Sequence, residues 1–330
     1  MTTNQTTAQS LPRLLVTRRL MADVEARASQ RFAATLSADD RPLTRAELLA
    51  KARGHDAILT SSLDKFGPDY VKDLPAEIRI LATHSVGHEH IDLAAAKARG
   101  IAVTNTPDVL TEATADLTLL LILGAARGAS WGERMVREDR WGEPALVSPL
   151  GHDVSGRRLG ILGMGRIGQA VARRASSFGM ALHYHSRRPV APELASGAAY
   201  HGTFAAMLPH CDFLSINCTS TPATRGLVDG AAISRLPDGA ILVNSARGDI
   251  VDDDAVIAAL ASGKLAAAGL DVFRNEPRID PRYRALDNVF LLPHLGSATP
   301  ATRSAMGHRA LDNLEAFFRG ERPRDLLTGD

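Results

Sequence analysis

Short runs of branched apolar residues alternate with longer helical patterns along most of this chain, and that alternation narrows its fold more than any other feature. Leu14–Thr17, Ala57–Thr60, Ile78–Ala82 and Ala102–Thr104 read as strands with helices between them. A helical pattern from Val109 to Arg127 follows, with Glu112 and Asp116 near its N-terminal end, where negative charge is favourable. A connector from Trp131 to Leu150 leads to a second series, with strands at Leu159–Leu162, Ala181–His185, Phe213–Asn217, Ala240–Asn244, Ala267–Leu270 and Val289–Leu292. Strands that alternate with helices form βαβ units and a parallel sheet. Two such series in tandem predict an α/β protein of two doubly wound parallel-sheet domains with a cleft between them. The last ten residues read as a weakly held tail.

Composition bounds the partners. The chain has 330 residues, 45% of them apolar and 23% charged, which suits two soluble domains. A net charge of +1 gives no global field to draw the chain to nucleic acid or a membrane. Met1–Ser10 lacks the basic region and apolar run of a signal peptide, and the apolar stretch Leu117–Ala126 is too short to span a bilayer. The two cysteines, Cys211 and Cys218, read as reduced thiols of a cytoplasmic protein.

The segment Gly163-Met164-Gly165-Arg166-Ile167-Gly168 follows the strand pattern Arg158–Leu162 directly and opens a helix. That helix sets Ile167, Val171 and Phe178 on one face, with Ala170 and Ala175 beside them. A G-x-G-x-x-G in this context is a dinucleotide fingerprint. Gly163 permits the tight turn, Gly165 lets the backbone approach a pyrophosphate, and Gly168 lets helix and strand pack together. The helix N-terminus offers free N–H groups to the phosphates. After the next strand the chain reads Ser186-Arg187-Arg188. An acid there would bind a ribose 2′-hydroxyl and repel a 2′-phosphate, whereas a hydroxyl with arginines can hold the phosphate. The expectation is NADP(H) as preferred cofactor, with NAD(H) as the alternative.

Three polar groups stand just after later strand patterns: Arg247 in Asn244-Ser-Ala-Arg247, Glu276 in Asn275-Glu276-Pro277 beyond Asp271, and His294 in Pro293-His294-Leu295-Gly296. Carboxyl ends of strands are where ligands bind in open α/β sheets. Arginine can grip a carboxylate with its planar fork, histidine can donate a proton near neutral pH, and a neighbouring carboxylate can orient the ring. Taken singly, each has an ordinary reading: a turn-capping cation, a solvated charge and a hydrogen-bonded loop histidine.

Together with Ser85-Val-Gly-His-Glu-His-Ile-Asp92, Val103-Thr-Asn-Thr-Pro107 and Glu112-Ala-Thr-Ala-Asp116, these motifs resemble the D-isomer-specific 2-hydroxyacid dehydrogenase family, most of all its glyoxylate/hydroxypyruvate reductase branch. The similarity runs from Asp56 to about Gly320. It implies a discontinuous flavodoxin-like substrate domain (1–107 plus 297–330) and a Rossmann domain (108–296). It implies catalytic Arg247, Glu276 and His294, with His294 as proton donor to the substrate carbonyl and Glu276 supporting it. The substrate would be held by Arg247, His294 and the N–H groups of Val86 and Gly87. Asp271 would bind the nicotinamide carboxamide, with Ser245, Ala246, Arg247, His294 and Gly296 lining the cofactor. Cys218, Thr219 and Pro222 would follow its adenosine half. The family forms dimers through the helix at Val109–Arg127 and the arm after it, so a homodimer is expected, with no nucleic-acid or membrane partner.

Two departures bear on these expectations. His88-Glu89-His90 replaces the family's usual residues after the Val-Gly pair, giving a patch with His84 that reads as surface histidines rather than a metal site. The branch's pocket tryptophan segment is not matched between Trp141 and Gly151, so Ser61–Leu63 and Trp141–Leu150 leave substrate size open. The implied activity is NADPH-dependent reduction of glyoxylate, hydroxypyruvate or a related small 2-keto acid. A 2-ketogluconate or aryl-pyruvate reductase, or a dinucleotide-sensing corepressor or scaffold, is the alternative. Formate dehydrogenases of similar fold carry Gln where Glu276 stands. The chain ends soon after the fold closes, unlike phosphoglycerate dehydrogenases with a regulatory domain.

Overall fold

The computed structural model describes residues 11–142 and 150–329; the N-terminal ten residues and 143–149, which include most of the expected specificity segment, lie outside the described residues. The chain divides into two compact units, one of Met1–Val109 with Thr299–Asp330 and one of Leu110–Ala298.

The first unit runs β1 (Arg13–Val16), α1 (Ala22–Arg31), β2 (Ala33–Thr35), α2 (Arg45–Ala52), β3 (Ala57–Thr60), α3 (Pro68–Asp73), β4 (Ile80–Thr83), α4 (Leu93–Ala98) and β5 (Ala102–Thr104), and is completed by the helix Pro300–Phe318. Its sheet is parallel with order β2-β1-β3-β4-β5. Both faces are covered, which is why the strands read as unbroken apolar runs. Leu15, Ile58 and Leu81 pack under α2, α3 and α4, while Leu14, Val16, Leu59 and Ile80 pack against α1 and the C-terminal helix.

The second unit runs α5 (Thr111–Ala126), α6 (Ala129–Arg137), β6 (Arg158–Leu162), α7 (Arg166–Ser177), β7 (Ala181–His185), β8 (Ala199–Tyr200), α8 (Phe204–Met207), β9 (Phe213–Ile216), α9 (Gly230–Ser234), β10 (Ala240–Asn244), α10 (Asp253–Ser262), β11 (Leu265–Leu270) and β12 (Val289–Leu291). The helix Pro300–Phe318 of the first unit is then α11. The seven strands are parallel in the order β12-β11-β10-β9-β6-β7-β8. The order reverses at β6, the topological switch point where such sheets bind ligands. Helix α5 packs against α7, and Glu112 and Asp116 bridge to Arg173 and Arg174 across that contact.

Four expectations need correction. The C-terminal segment is held, not loose. Leu327 N–H donates to Val103 O at 2.8 Å, and Arg309 grips the buried Asp325 at 2.6 and 2.9 Å. The reason is that Leu326 bridges Thr104 at the edge of β5, covering backbone groups that would otherwise be open. Phe178 does not join the buried face of α7; it caps the helix and is exposed, and Ala170, Val171, Ala172 and Ala175 are the buried stripe. The connector begins with helix α6, which carries Trp131. His84 and His90 are not surface residues, as described below. Among the described residues no helix is long and apolar enough to cross a membrane.

Candidate active site

The glycine turn joins β6 to α7. Gly163 has φ +100°, open to glycine at little cost, and a Cβ there would meet the Cys218 backbone N at 2.6 Å. The turn is therefore pressed against the start of the loop after β9. Gly163 N–H donates to His185 O at 2.8 Å, tying the turn to the end of β7 as well. Gly165 is the N-cap of α7, no side chain caps the helix, and a Cβ at Gly165 would meet open space. Gly168 packs on the Gly163 carbonyl with no room for a side chain. A bare helix N-terminus behind an open glycine is the cradle a pyrophosphate requires, so these residues fit a dinucleotide.

On one side of the switch point, Ser186 Oγ donates to Arg188 O at 2.7 Å, folding the loop after β7 into a tight turn. Arg187 and Arg188 are exposed and pair with no carboxylate among the described residues. On the other side, Thr219 and Pro222 lie in a loop braced by Thr224, whose Oγ1 donates to Thr219 O at 2.7 Å. Cys218 and Cys211 are free thiols, and burial pushes them up to about 11 and about 12, which leaves them unreactive.

Arg247, Glu276 and His294 come from the ends of β10, β11 and β12, and the structure brings these loops together within one unit. Buried Asn244 shapes the first loop: its Nδ2 donates to Arg247 O at 2.9 Å and its Oδ1 accepts from Ala246 N–H at 3.0 Å. Ser245 Oγ meets Thr118 Oγ1 of α5 at 2.8 Å. Gly248 lies against the Phe273 backbone so closely that a Cβ would overlap it, which clamps the Arg247 loop to the Glu276 loop.

His294 Nδ1 lies 2.7 Å from Glu276 Oε2. The other carboxylate oxygen, Oε1, accepts from Phe273 N–H at 2.7 Å, so both oxygens of Glu276 are fixed. Burial alone would raise the Glu276 carboxyl, but the hydrogen bond and charge of His294, the Phe273 N–H and the Arg247 charge together hold it below its ordinary range. Nε2 of His294 has no protein partner among the described residues and is left to meet a ligand.

Beneath this pair lies Asp271, fully buried. Its Oδ1 accepts from Leu295 N–H at 2.7 Å and its Oδ2 from Gly296 N–H at 2.9 Å, while its carbonyl accepts from His294 N–H at 2.9 Å. Sequence reasoning flagged Asp271 for the cofactor but missed this brace, as it missed Asn244 and Gly248.

Val86 and Gly87 follow β4 in the other unit. Their carbonyls are fixed by Asn105 Nδ2 at 2.8 Å and Ser85 Oγ at 2.6 Å, while their N–H groups donate to no acceptor among the described residues. His90 is buried with Nε2 2.9 Å from Thr83 Oγ1, and His84 is half-buried with Nε2 3.1 Å from Arg303 O. Each is spent on internal polar contacts of the β4 turn. Among the described residues no group of three His, Cys, Asp or Glu side chains is placed to hold a metal ion.

A parallel sheet with a glycine cradle at its switch point, and an Arg, Glu and His set at the carboxyl ends of the same sheet, defines a dinucleotide-dependent oxidoreductase. Residues 119–296 match the family described as D-isomer specific 2-hydroxyacid dehydrogenase, NAD binding domain. Glycerate dehydrogenase of Hyphomicrobium methylovorum is 41% identical over 313 residues, 94% of this chain and 97% of that protein. Glyoxylate reductase of Thermococcus litoralis is 38% identical, covering 97% of each chain. A solved structure of an NADPH-dependent glyoxylate/hydroxypyruvate reductase from Sinorhizobium meliloti, in complex with NADP and malonate, superposes with a TM-score of 0.87 at 36% identity, over 96% of this chain and 97% of that one. The chain belongs to the D-isomer-specific 2-hydroxyacid dehydrogenase family. It is an NAD(P)-dependent oxidoreductase that interconverts 2-hydroxy and 2-keto acids.

Proposed function

We propose that this enzyme works as an NADPH-preferring reductase of a small 2-keto acid such as glyoxylate or hydroxypyruvate. The observation that carries the reading is His294, held at Nδ1 by Glu276 and left open at Nε2. A pure dinucleotide sensor has no use for an oriented proton donor.

When bound across the glycine cradle, the reduced nicotinamide supplies a hydride. Gly163–Gly168 hold the pyrophosphate, with Cys218, Thr219 and Pro222 along the adenosine half and Asp271, Ser245, Ala246 and Gly296 toward the nicotinamide end. Arg247 grips the substrate carboxylate and carbonyl oxygen with its two-pronged fork. The open N–H groups of Val86 and Gly87 take the carboxylate. His294 Nε2 donates its proton to the carbonyl oxygen as negative charge develops there, and Glu276 stabilises the charged ring and fixes its orientation.

The cofactor preference is supported by the loop after β7, which presents Ser186 and two exposed guanidinium groups where an NAD-binding chain usually places an acid. The relatives' names support the substrate class. A second copy as partner is supported by large apolar side chains left exposed on α5, α6 and just beyond: Leu120, Val136, Trp141 and Leu150.

The test follows NADPH and NADH absorbance with glyoxylate, hydroxypyruvate, 2-ketogluconate and phenylpyruvate. The reading expects the highest kcat/KM with NADPH and one of the two small acids. A preference for NADH, or no turnover across the panel, contradicts it.

A further inference from the structure

Arg303, in the smaller unit, is a cation that the roles above leave unused. In α11, residues 303, 307, 310 and 314 share one face, and it is the face turned to the sheet: Gly307, Ala310 and Leu314 are buried there. Ala310 and Leu314 pack with Leu14, Leu59 and Ile80, and a Cβ on Gly307 would meet Val24 at 2.6 Å. Arg303 heads this stripe, about one turn in from the N-cap Thr299. An arginine in phase with a helix's core face is out of place unless something meets it.

Its location suggests what does. The His84 ring, just after β4, contacts Arg303 O at 3.1 Å, so this turn of α11 stands at the carboxyl end of the central strands. Val86 and Gly87, with their open N–H groups, are two and three residues further along. The Arg303 side chain forms no hydrogen bond or ion pair among the described residues, and burial pulls its guanidinium below the ordinary range. Arg309 of the same helix pairs with Asp325 at 2.6 Å, and its C-cap residue Arg319 pairs with Glu321 at 2.9 Å. His84 adds no counter-charge. Burial holds its imidazole low; its bond to the Arg303 carbonyl opposes this, and the Arg303 charge adds to it. A half-buried cation with no acid beside it costs free energy until an anion arrives.

We propose that Arg303 and the N–H groups of Val86 and Gly87 form one anion subsite within this unit, which takes the carboxylate of the 2-keto acid. This makes Arg303 a substrate-binding residue in addition to Arg247, and it rests on the proposed keto-acid reading. The carboxylate then meets a guanidinium fork as well as two backbone donors, and α11, a helix of 19 residues, adds its positive end.

The experiment compares wild type with Arg303→Gln and Arg303→Lys in three readouts: kcat and KM for glyoxylate, calorimetric affinity for oxalate with NADP bound, and Kd for NADPH with Tm. The expected result for Arg303→Gln is a rise of about 10- to 100-fold in KM and in oxalate Kd, with kcat changed far less. NADPH affinity should stay at the wild-type value and Tm should not fall, and Arg303→Lys should recover part of the loss. Wild-type KM and oxalate affinity in Arg303→Gln overturn the proposal. So does a variant that loses Tm and NADPH affinity together, because the residue is then structural. If wild type turns over no keto acid, the functional reading fails, and the oxalate measurement still decides the anion subsite by itself.

Discussion

Gly248 lies so close to the backbone of Phe273 that no side chain fits between them. That approach locks the loop carrying Arg247 to the loop carrying Glu276, two residues of separate strand ends that the proposed mechanism brings to one substrate. Gly248→Ala should force the loops apart. The expected outcome is a loss of about 1–3 kcal/mol of stability with a drop of at least about tenfold in kcat/KM, because small displacements of positioning groups are expensive. Thermal melting and steady-state kinetics check it. An alanine variant with wild-type kcat/KM would show that the clamp is not needed.

His294 has φ +58°, a left-handed conformation that few non-glycine residues adopt without support. Its support is Asp271, which accepts the N–H groups of His294, Leu295 and Gly296 through its carbonyl and both carboxylate oxygens. Burial pushes the Asp271 carboxyl up, while the Leu295 N–H, the His294 charge and the Gly296 N–H hold it back. Asp271→Asn keeps the size but turns one acceptor into a donor facing a backbone N–H. The expected loss is about 1–3 kcal/mol of stability with a fall in kcat, read by melting and kinetics.

The exposed pair after Ser186 makes a cofactor prediction. Arg187→Ala with Arg188→Ala should lower kcat/KM for NADPH and leave NADH nearly unchanged, while Ser186→Asp should invert the preference by repelling the 2′-phosphate. Saturation curves with each cofactor check both. Parallel losses for the two cofactors would mean that these residues do not touch the 2′ position.

Much of this fold is legible in the sequence because it is doubly covered. Ala57–Thr60 and Ala240–Asn244 are buried on both faces and stand out as apolar runs with the observed boundaries. The strands missed are Ala33–Thr35 and Ala199–Tyr200, two short pieces at sheet edges where partial exposure leaves small and polar residues and no run to read. For the site, residue type after a strand was enough to flag Arg247, Glu276 and His294. Their contact was not legible, since it depends on a left-handed backbone at His294 and on the Gly248 clamp. Arg303 carried a readable signal, its phase with Gly307, Ala310 and Leu314, which composition and motif spacing pass over.

A histidine cluster predicts how the larger unit responds to acid. The rings of His183, His201 and His210 lie 5.1–5.3 Å apart, and His183 Nδ1 is 3.0 Å from His201 Nε2. Burial holds His183 and His201 below the ordinary histidine range, and the charges of neighbouring histidines push the same way, with Arg158 adding to this and Asp212 opposing it at His183. Because the folded values are depressed, the unfolded chain takes up protons first as pH falls through about 6.5, so stability is lost below that point and not above it. Tm should fall between about pH 7.5 and about pH 5, and His201→Gln should flatten that fall. Equal slopes in the two proteins would contradict the assignment.

The central claim is that His294, oriented by Glu276, delivers the proton to the substrate carbonyl. Its most direct test is kcat for His294→Ala at neutral pH, with NADPH affinity measured on the same sample. The account predicts a loss of about 10²- to 10⁴-fold in kcat with NADPH still bound at near wild-type affinity. A variant that keeps near-normal kcat would contradict it.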